Sequence, residues 1–302
     1  MISYPLAVTV DIEDWYHIPS VTGSPFSVYP DVETFFARWQ GRYDYLSDPT
    51  KRLLSLLDEF DIKATFFIVA DVIGNYPGLV ESIAERGHEI ACHGLHHACG
   101  IDPRTKVPLC SRETFREETL AAKKMLEIIS GTPVLGYRAP NAVIAGWMLD
   151  ILEELGFAYD SSVSANAFYN KSDSDLKGVT SVPYCPLRGH LVPGPSRGLT
   201  EFPWAYLDVG GVRIPTAGGP LLRFLPVSLI QKGLHQSLKR GAAVFYIHPI
   251  DIAQESFPRV GKGRPFYWMI KGKIVERKLR SLLHSLQNTD KKCMKDICGR
   301  LG

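Results

Sequence analysis

Two histidines four positions apart, His93 and His97, stand in the stretch ACHGLHH (91–97), with His96 between them. Imidazoles at that spacing can reach one metal ion from a single turn of helix or from a strand end that curls into a loop. They need an anionic partner, and an acidic cluster lies far upstream in TVDIEDW, where Asp11, Glu13 and Asp14 close an apolar run. Two imidazoles and one carboxylate leave positions for water and substrate on a divalent ion. Zinc is the first expectation, and cobalt, nickel and manganese suit the same ligands. A structural zinc site on Cys92 and Cys99 is a poorer reading, because strand alternation turns Cys92 away from His93 and no C-x₂₋₄-C pair occurs. His96 is expected outside the ligand set.

For residues so far apart to meet, the chain must bring several strand ends together. Apolar runs bounded by turn residues alternate with stretches of helical period, the pattern of strands joined by crossover helices. Strands are expected over 5–13, 63–70, 88–93, 133–138, 157–162 and 241–248, and helices over 50–60, 75–87, 112–130 and 145–155. Residues 181–226, rich in Pro, Gly and aromatics, suit hairpins and loops, with GGPLLRF (218–224) a backbone-driven turn. A last helix over 273–286 carries Ile274, Val275, Leu279, Leu282, Leu283 and Leu286 on one stripe. The strands end in ionisable residues: the acidic cluster, His93, Arg138, Asp160 and His248. In parallel α/β sheets and barrels that edge is where sites are built.

Composition narrows the class. With 45% apolar and 22% charged residues among 302, the chain reads as an ordinary globular enzyme, neither disordered nor fibrous. No run of about 18 apolar residues occurs, so neither a membrane span nor a signal peptide is expected. Six cysteines without a CxxC pair suit reduced thiols, which makes the cytoplasm the expected compartment. Residues 254–302 hold twelve Lys/Arg against four Asp/Glu, a surplus of eight beside a deficit of six elsewhere. Lys271, Lys273, Arg277, Lys278 and Arg280 flank the apolar stripe of the last helix, an arrangement that could rest on the inner face of an anionic membrane. Nucleic acid is not an expected partner, since the rest of the chain is net acidic and carries no binding motif.

The segments TVDIEDWYH (9–17), GHEIACHGLHH (87–97), GYRAPNA (136–142), GFAYDSSV (156–163), EFPWAYL (201–207) with GGPLLRFLP (218–226), and FYIHPIDI (245–252) occur in one order along the chain. In that order the sequence resembles the polysaccharide deacetylases with a NodB-type domain (carbohydrate esterase family 4), and most closely the subgroup associated with bacterial exopolysaccharide and surface-glycan loci. The resemblance implies an α/β fold, a distorted (β/α) barrel over residues 1–252, with a basic helical extension (253–302) packed on it. It implies Asp11 as catalytic base, His93 and His97 as metal ligands, Arg138 as the partner of the base and His248 as general acid. The family's paired aspartates are replaced here by Asp11-Ile12-Glu13-Asp14, which leaves the ligand open: alternation favours Glu13, side-chain identity Asp14.

Chemical reasoning leads to the same roles. Amide hydrolysis needs a nucleophile at neutral pH, charge stabilisation and a proton for the departing amine. A metal ion meets the first need, Asp11 oriented by Arg138 removes a proton, and His248 donates one, with Asp160 expected beside it. Trp15, Tyr16, Pro140, Asn141 and Trp204 are candidate sugar contacts, and Arg223 a contact to an anionic substrate. The expected activity is metal-dependent removal of an N-acetyl group from an amino sugar in a glycan or a lipid- or nucleotide-linked glycan precursor. Two other readings stand beside it: an allantoinase- or imidase-like hydrolase of non-sugar amides, and a non-catalytic glycan-binding protein.

Overall fold

The first strand, β1 (Leu6–Ile12), is buried at every residue, as expected of a strand covered on both faces. The computed structural model describes residues 4–41, 43–165, 170–258, 260 and 269–300. Around β1 it places β2 (Thr65–Ile68), β3 (Glu89–Cys92), β4 (Gly136–Tyr137), β5 (Tyr159–Asp160), β6 (Thr200–Glu201), a hairpin of β7 (Tyr206–Val209) and β8 (Val212–Pro215), and β9 (Ala243–Ile247). Seven of these form one sheet in the order β6-β5-β4-β3-β2-β1-β9, every neighbour parallel. Parallel neighbours force all strand carboxyl ends to one rim. The result is a distorted (β/α) barrel, as the sequence led us to expect.

The barrel does not close by strand pairing. Between β6 and β9 the chain from Phe202 to Gly219 crosses the gap, tied to β9 through Tyr246 N–H to the Ala217 carbonyl (2.7 Å) and Gly219 N–H to the Tyr246 carbonyl (2.8 Å). Gly218 lies at φ +107°, and a Cβ there would sit 2.1 Å from the Tyr246 oxygen, so only glycine fits so close an approach. The sequence reading missed β6, and GGPLLRF is not a bare turn: Pro220 opens a short helix, Pro220–Phe224.

The outer helices follow the apolar periodicity. Leu53, Leu54 and Leu57 of the helix Ser47–Glu59 are buried. The helix Arg112–Ser130 starts where the Ser111 side chain accepts from Thr114 N–H and stops at Gly131 in the left-handed region. The single helix expected over 75–87 is two, Val72–Asn75 and Leu79–Glu85, because Pro77 and Gly78 at φ +81° interrupt the ladder between them.

The C-terminal helix Lys273–Ser285 buries Val275, Leu279, Leu282 and Leu283 against the helices Pro249–Ile252, Val227–Leu238 and Pro220–Phe224, while Ile274 faces solvent. Its apolar stripe is therefore covered by protein and not available to lie on a membrane. Three of the flanking cations are also engaged: Lys278 donates to the Leu222, Arg223 and Leu225 carbonyls, Arg280 pairs with Glu59, and Lys271 donates to Ala253. Lys273 and Arg277 remain exposed. Among the described residues no helix is long and apolar enough to cross a membrane.

The chain then returns to the barrel. Leu6 N–H donates to Asp290 and Lys292 N–H to Leu6, and the helix Met294–Cys298 places Met294 and Ile297 against Ala7, Phe67, Ala91 and Val244 at the barrel floor. Glu89 fixes this plug, accepting from Thr65 Oγ1 (2.6 Å), Tyr159 O–H (2.7 Å) and Lys295 N–H (3.1 Å). Met294→Ala is expected to lower stability by about 2–5 kcal/mol in chemical denaturation; a loss under about 1 kcal/mol would show that the plug adds little to the core.

His88, 4% exposed, accepts from Ala64 N–H through Nδ1. Burial, reinforced by Lys63, pushes its pKa down from 6.5 to about 4. Between those values the unfolded chain binds a proton that the folded chain refuses, so stability falls as pH drops from about 6.5 to about 4, by about 3 kcal/mol in full. His88→Asn keeps an acceptor for Ala64 and should flatten that slope in a pH series of thermal melts.

Candidate active site and metal centre

Strand alternation sets the acidic cluster. In β1 Ile12 is part of the hydrophobic core, while Asp11 and Glu13 face the cleft at the rim. Asp14, the alternative ligand, turns away. Its Oδ1 accepts from Trp15 N–H (2.7 Å) and its Oδ2 from Tyr76 O–H (2.6 Å), so it caps the short 3₁₀ turn Trp15–His17. Burial lifts its carboxyl from the ordinary value to about 6. Of the two carboxylates left open by the sequence, Glu13 is the one at the imidazoles.

His93 follows the last residue of β3, and the chain then bends through Gly94 at φ +82° to His97, itself at φ +56°. The spacing of four is thus a strand end and a loop, not a helical turn. His93 Nδ1 lies 2.7 Å from the Arg138 carbonyl and His97 Nδ1 2.9 Å from the His17 carbonyl. A carbonyl only accepts, so both Nδ1 atoms carry the proton and both Nε2 atoms offer lone pairs. These lone pairs converge on Glu13 Oε1, each at 3.2 Å. His97 Nε2 is buried and makes no hydrogen bond to any described residue. A carboxylate oxygen and two imidazole nitrogens aimed at one point are held together by a cation among them, a proton on an imidazole or a metal ion in its place, and this donor set suits zinc or a similar divalent ion. Burial would raise the Glu13 carboxyl, but positive charge around it, on His97 and His248 when no ion is bound, outweighs that and holds it well below the ordinary range.

Two buried arginines fix the remaining groups. Arg138 donates from Nη1 to Asp11 Oδ1 (2.6 Å) and Thr9 Oγ1 (2.9 Å), and from Nε and Nη2 to the carbonyl and hydroxyl of Ser161. Its guanidinium lies 4.0 Å above the Phe67 ring. Asp11 Oδ2 is left facing the cleft, 3.9 Å from His248 Nε2, which in turn lies 3.5 Å from Glu13 Oε1. Behind His248 stands Asp251, whose Oδ2 lies 3.0 Å from Nδ1 and whose Oδ1 is held by Arg223 Nε (2.7 Å). Burial alone would depress His248; Asp251 and Glu13 outweigh it and hold the imidazole well above its usual range.

Several expected contacts lie elsewhere. Asp160 is not beside His248: β5 turns Tyr159 into the barrel and Asp160 outward, where it accepts from the backbone and hydroxyl of Ser162 and faces Glu201. Burial and the neighbouring Asp160 push the Glu201 carboxyl well above the ordinary range. The residue beside His248 is Asp251, which the sequence reading missed. Its signal was HPID itself, a proline at the first helical position and an acid that reaches back to the cap. Trp15 and Tyr16 are buried among Phe35, Trp39 and Tyr45, and neither lines the cleft that holds Asp11, Glu13, His93 and His248. Pro140 is buried behind the turn Pro140–Ala142. Asn141, Trp204 and Arg223 do line the cleft with Asp11, Glu13, His93 and His248, in a volume of about 170 Å³. Arg223 meets Asp251 there, so its guanidinium serves a neighbour before any ligand.

Comparison with known proteins agrees with this architecture. Residues 41–159 match the family model described as polysaccharide deacetylase, and residues 170–295 match a domain of unknown function (DUF3473). The chain is 34% identical over 119 residues to a peptidoglycan deacetylase-like protein of Gibberella zeae, covering 38% of this chain and 32% of that one. It is 28% identical over 165 residues to the peptidoglycan deacetylase of Helicobacter pylori, covering 52% and 53%. The chain therefore spans about a third to a half of the length of these curated relatives. A crystal structure from Mycobacterium smegmatis, assigned to the polysaccharide deacetylases, superposes with a TM-score of 0.62 at 24% identity over 99% of this chain and 91% of that one, which shows the shared fold. Residues 41–159 carry a polysaccharide deacetylase domain.

The geometry separates the two candidate carboxylates experimentally. Glu13→Gln should weaken zinc binding at least 10- to 100-fold in a competition titration with a chromogenic chelator, whereas Asp14→Asn should leave affinity within a few-fold. The reverse order would place the ligand on Asp14.

Proposed function

We propose that this protein removes the N-acetyl group of an amino sugar in a glycan or glycan precursor, with a divalent ion held by Glu13, His93 and His97. One observation carries the reading: the imidazoles of His93 and His97 converge on Glu13, and Glu13 and His93 share a cleft with an arginine-fixed Asp11 and an Asp251-backed His248. A divalent ion bound there supplies Lewis acidity and eases deprotonation of water at neutral pH. Zinc suits the ligand set best.

The protein's own groups divide the proton work. Asp11 has one oxygen committed to Arg138 and presents the other to the cleft, which suits it to take a proton from the attacking water. His248 presents Nε2 to the same space with Nδ1 anchored on Asp251, which suits it to deliver a proton to the leaving nitrogen. Acid and base thus stand beside each other in the cleft, Asp11 Oδ2 at 3.9 Å and Glu13 Oε1 at 3.5 Å from His248 Nε2. Trp204 and Tyr246 form one wall, their rings 4.5 Å apart, and supply apolar faces of the kind that sugar rings cover. The relatives named as deacetylases of peptidoglycan support an N-acetylated glycan as substrate. A lipid- or nucleotide-linked precursor belongs to this proposal too, and the six free thiols support a reducing compartment for it.

Zinc-loaded protein should release acetate from N-acetylchitooligosaccharides. Asp11→Asn and His248→Ala should each lower kcat by about 10²–10⁴-fold while metal analysis shows the ion still bound. No acetate release with zinc, cobalt, nickel or manganese, or full activity in either variant, would overturn the reading.

A further inference from the structure

The cleft does not end at the catalytic groups. A second chamber of about 180 Å³ opens beside it, and the two share Ala142, Lys171, Trp204 and Tyr246 as a common wall. Its remaining lining mixes apolar side chains, Ile144, Leu176 and Leu221 among them, with the polar Ser162, Ser164 and Asn170. Together the chambers fall just inside the roughly 300–1,000 Å³ typical of small-ligand sites, more room than an acetamido group alone requires.

Lys171 stands at the junction. Its ammonium carries three N–H donors, and its one hydrogen bond to a described residue goes to the Asn141 carbonyl, at 2.8 Å. The other cations that line the catalytic cleft are already matched, Arg138 by Asp11 and Arg223 by Asp251. Lys171 makes no ion pair with any described residue. A half-buried ammonium with spare donors at the junction of the two chambers is placed to pair with an anionic group of a ligand that spans them. Burial pushes its pKa down, with Cys99 and Glu13 acting in the opposite sense.

We propose that the second chamber receives the part of the substrate adjoining the N-acetylated sugar, and that Lys171 selects substrates bearing an anionic group there, a carboxylate or a phosphate. This rests on the function proposed above and adds the class of glycan it acts on. A purely structural role, in which Lys171 only pins the Asn141 carbonyl of a turn held at φ +58° and +55° by Asn141 and Ala142, predicts something different. Loss of the pin would impair every substrate alike.

The test compares binding to Asp11→Asn protein, which should not turn ligands over, of three probes: N-acetylchitotetraose (neutral), a hyaluronan tetrasaccharide (carboxylate) and UDP-N-acetylglucosamine (diphosphate). At least one anionic probe should bind about tenfold or more tightly than the neutral one, the value of one charge-assisted hydrogen bond. That preference should weaken with salt, vanish when Lys171→Met is added and survive Lys171→Arg. Preference for hyaluronan would mark a uronate-bearing glycan, and preference for the nucleotide sugar a phosphate-linked precursor. In enzyme that retains Asp11, Lys171→Met should lower the ratio of kcat/KM for the anionic over the neutral substrate, chiefly through KM. Equal affinity for all three probes, failure of both anionic probes to bind, or a parallel loss on every substrate in Lys171→Met would overturn the proposal. Because binding is read without turnover, a protein that prefers anionic probes yet releases no acetate would refute the proposed activity and leave the subsite standing.

Discussion

Three acceptors aimed at one point dominate the chemistry of this molecule. The Nε2 atoms of His93 and His97 each lie 3.2 Å from Glu13 Oε1, and the main chain has removed the imidazoles' freedom to turn away. Each imidazole gives its Nδ1 proton to a carbonyl, that of Arg138 or of His17. Holding lone pairs together in a dry pocket without a cation is unfavourable, so the fold must supply the geometry that a bound ion repays. The surrounding elements can be understood by how they maintain it. The 3₁₀ turn capped by Asp14 presents the His17 carbonyl, and β4 presents that of Arg138.

No single segment of the chain contains the site. Asp11 and Glu13 precede the stretch that matches the polysaccharide deacetylase model, His93, His97 and Arg138 lie within it, and Trp204, Arg223, His248 and Asp251 lie in the stretch of unknown function. The gap between β6 and β9 is what joins the last two. A strand of the main sheet there would have sealed the barrel; the run from Phe202 to Gly219, which forms the separate β7–β8 hairpin, instead brings Trp204 to the mouth and leads into the helix that carries Arg223. The opening in the sheet and the second chamber are thus one feature, since Pro215, Ala217 and Leu221 line that chamber from the crossing segment and its helix.

How far the sequence disclosed this depended on which physical rule governed each residue. Periodicity placed the parallel strands and most outer helices, because burial on both sheet faces and on one helix face leaves a strong mark. It placed Asp11 and Glu13 on one face for the same reason. It failed at Asp160, where the position of a strand end was legible but its facing was not: Tyr159 takes the inward place in β5. Side-chain type misled at Trp15 and Tyr16, aromatics next to an acidic cluster that turn out to build core. β6, two residues long, is too short for alternation to show, and its pairing is dictated by β5. Lys171 sat in a polar stretch with no pattern, and only the folded chain shows that it closes a wall between two chambers.

The two buried ion pairs explain why the proton-transfer groups hold their places. Arg138 with Asp11 and Arg223 with Asp251 are each nearly excluded from solvent, and taking such pairs out of water costs about as much as their attraction returns. Stability is therefore a poor reason to keep them. Geometry is a better one, because a guanidinium offers donors in a fixed fork and each arginine spends several of them on neighbours that cannot move: Ser161 and Thr9 for Arg138, and both Nε and Nη2 on a single Asp251 oxygen for Arg223. A lysine at either position would supply the charge without the orientation. With one oxygen of each aspartate fastened in this way, the other is directed by default, Asp11 Oδ2 toward the cleft and Asp251 Oδ2 toward His248 Nδ1. The base and the acid thus meet at the space beside Glu13, Asp11 aimed directly by Arg138 and His248 aimed by Arg223 through Asp251.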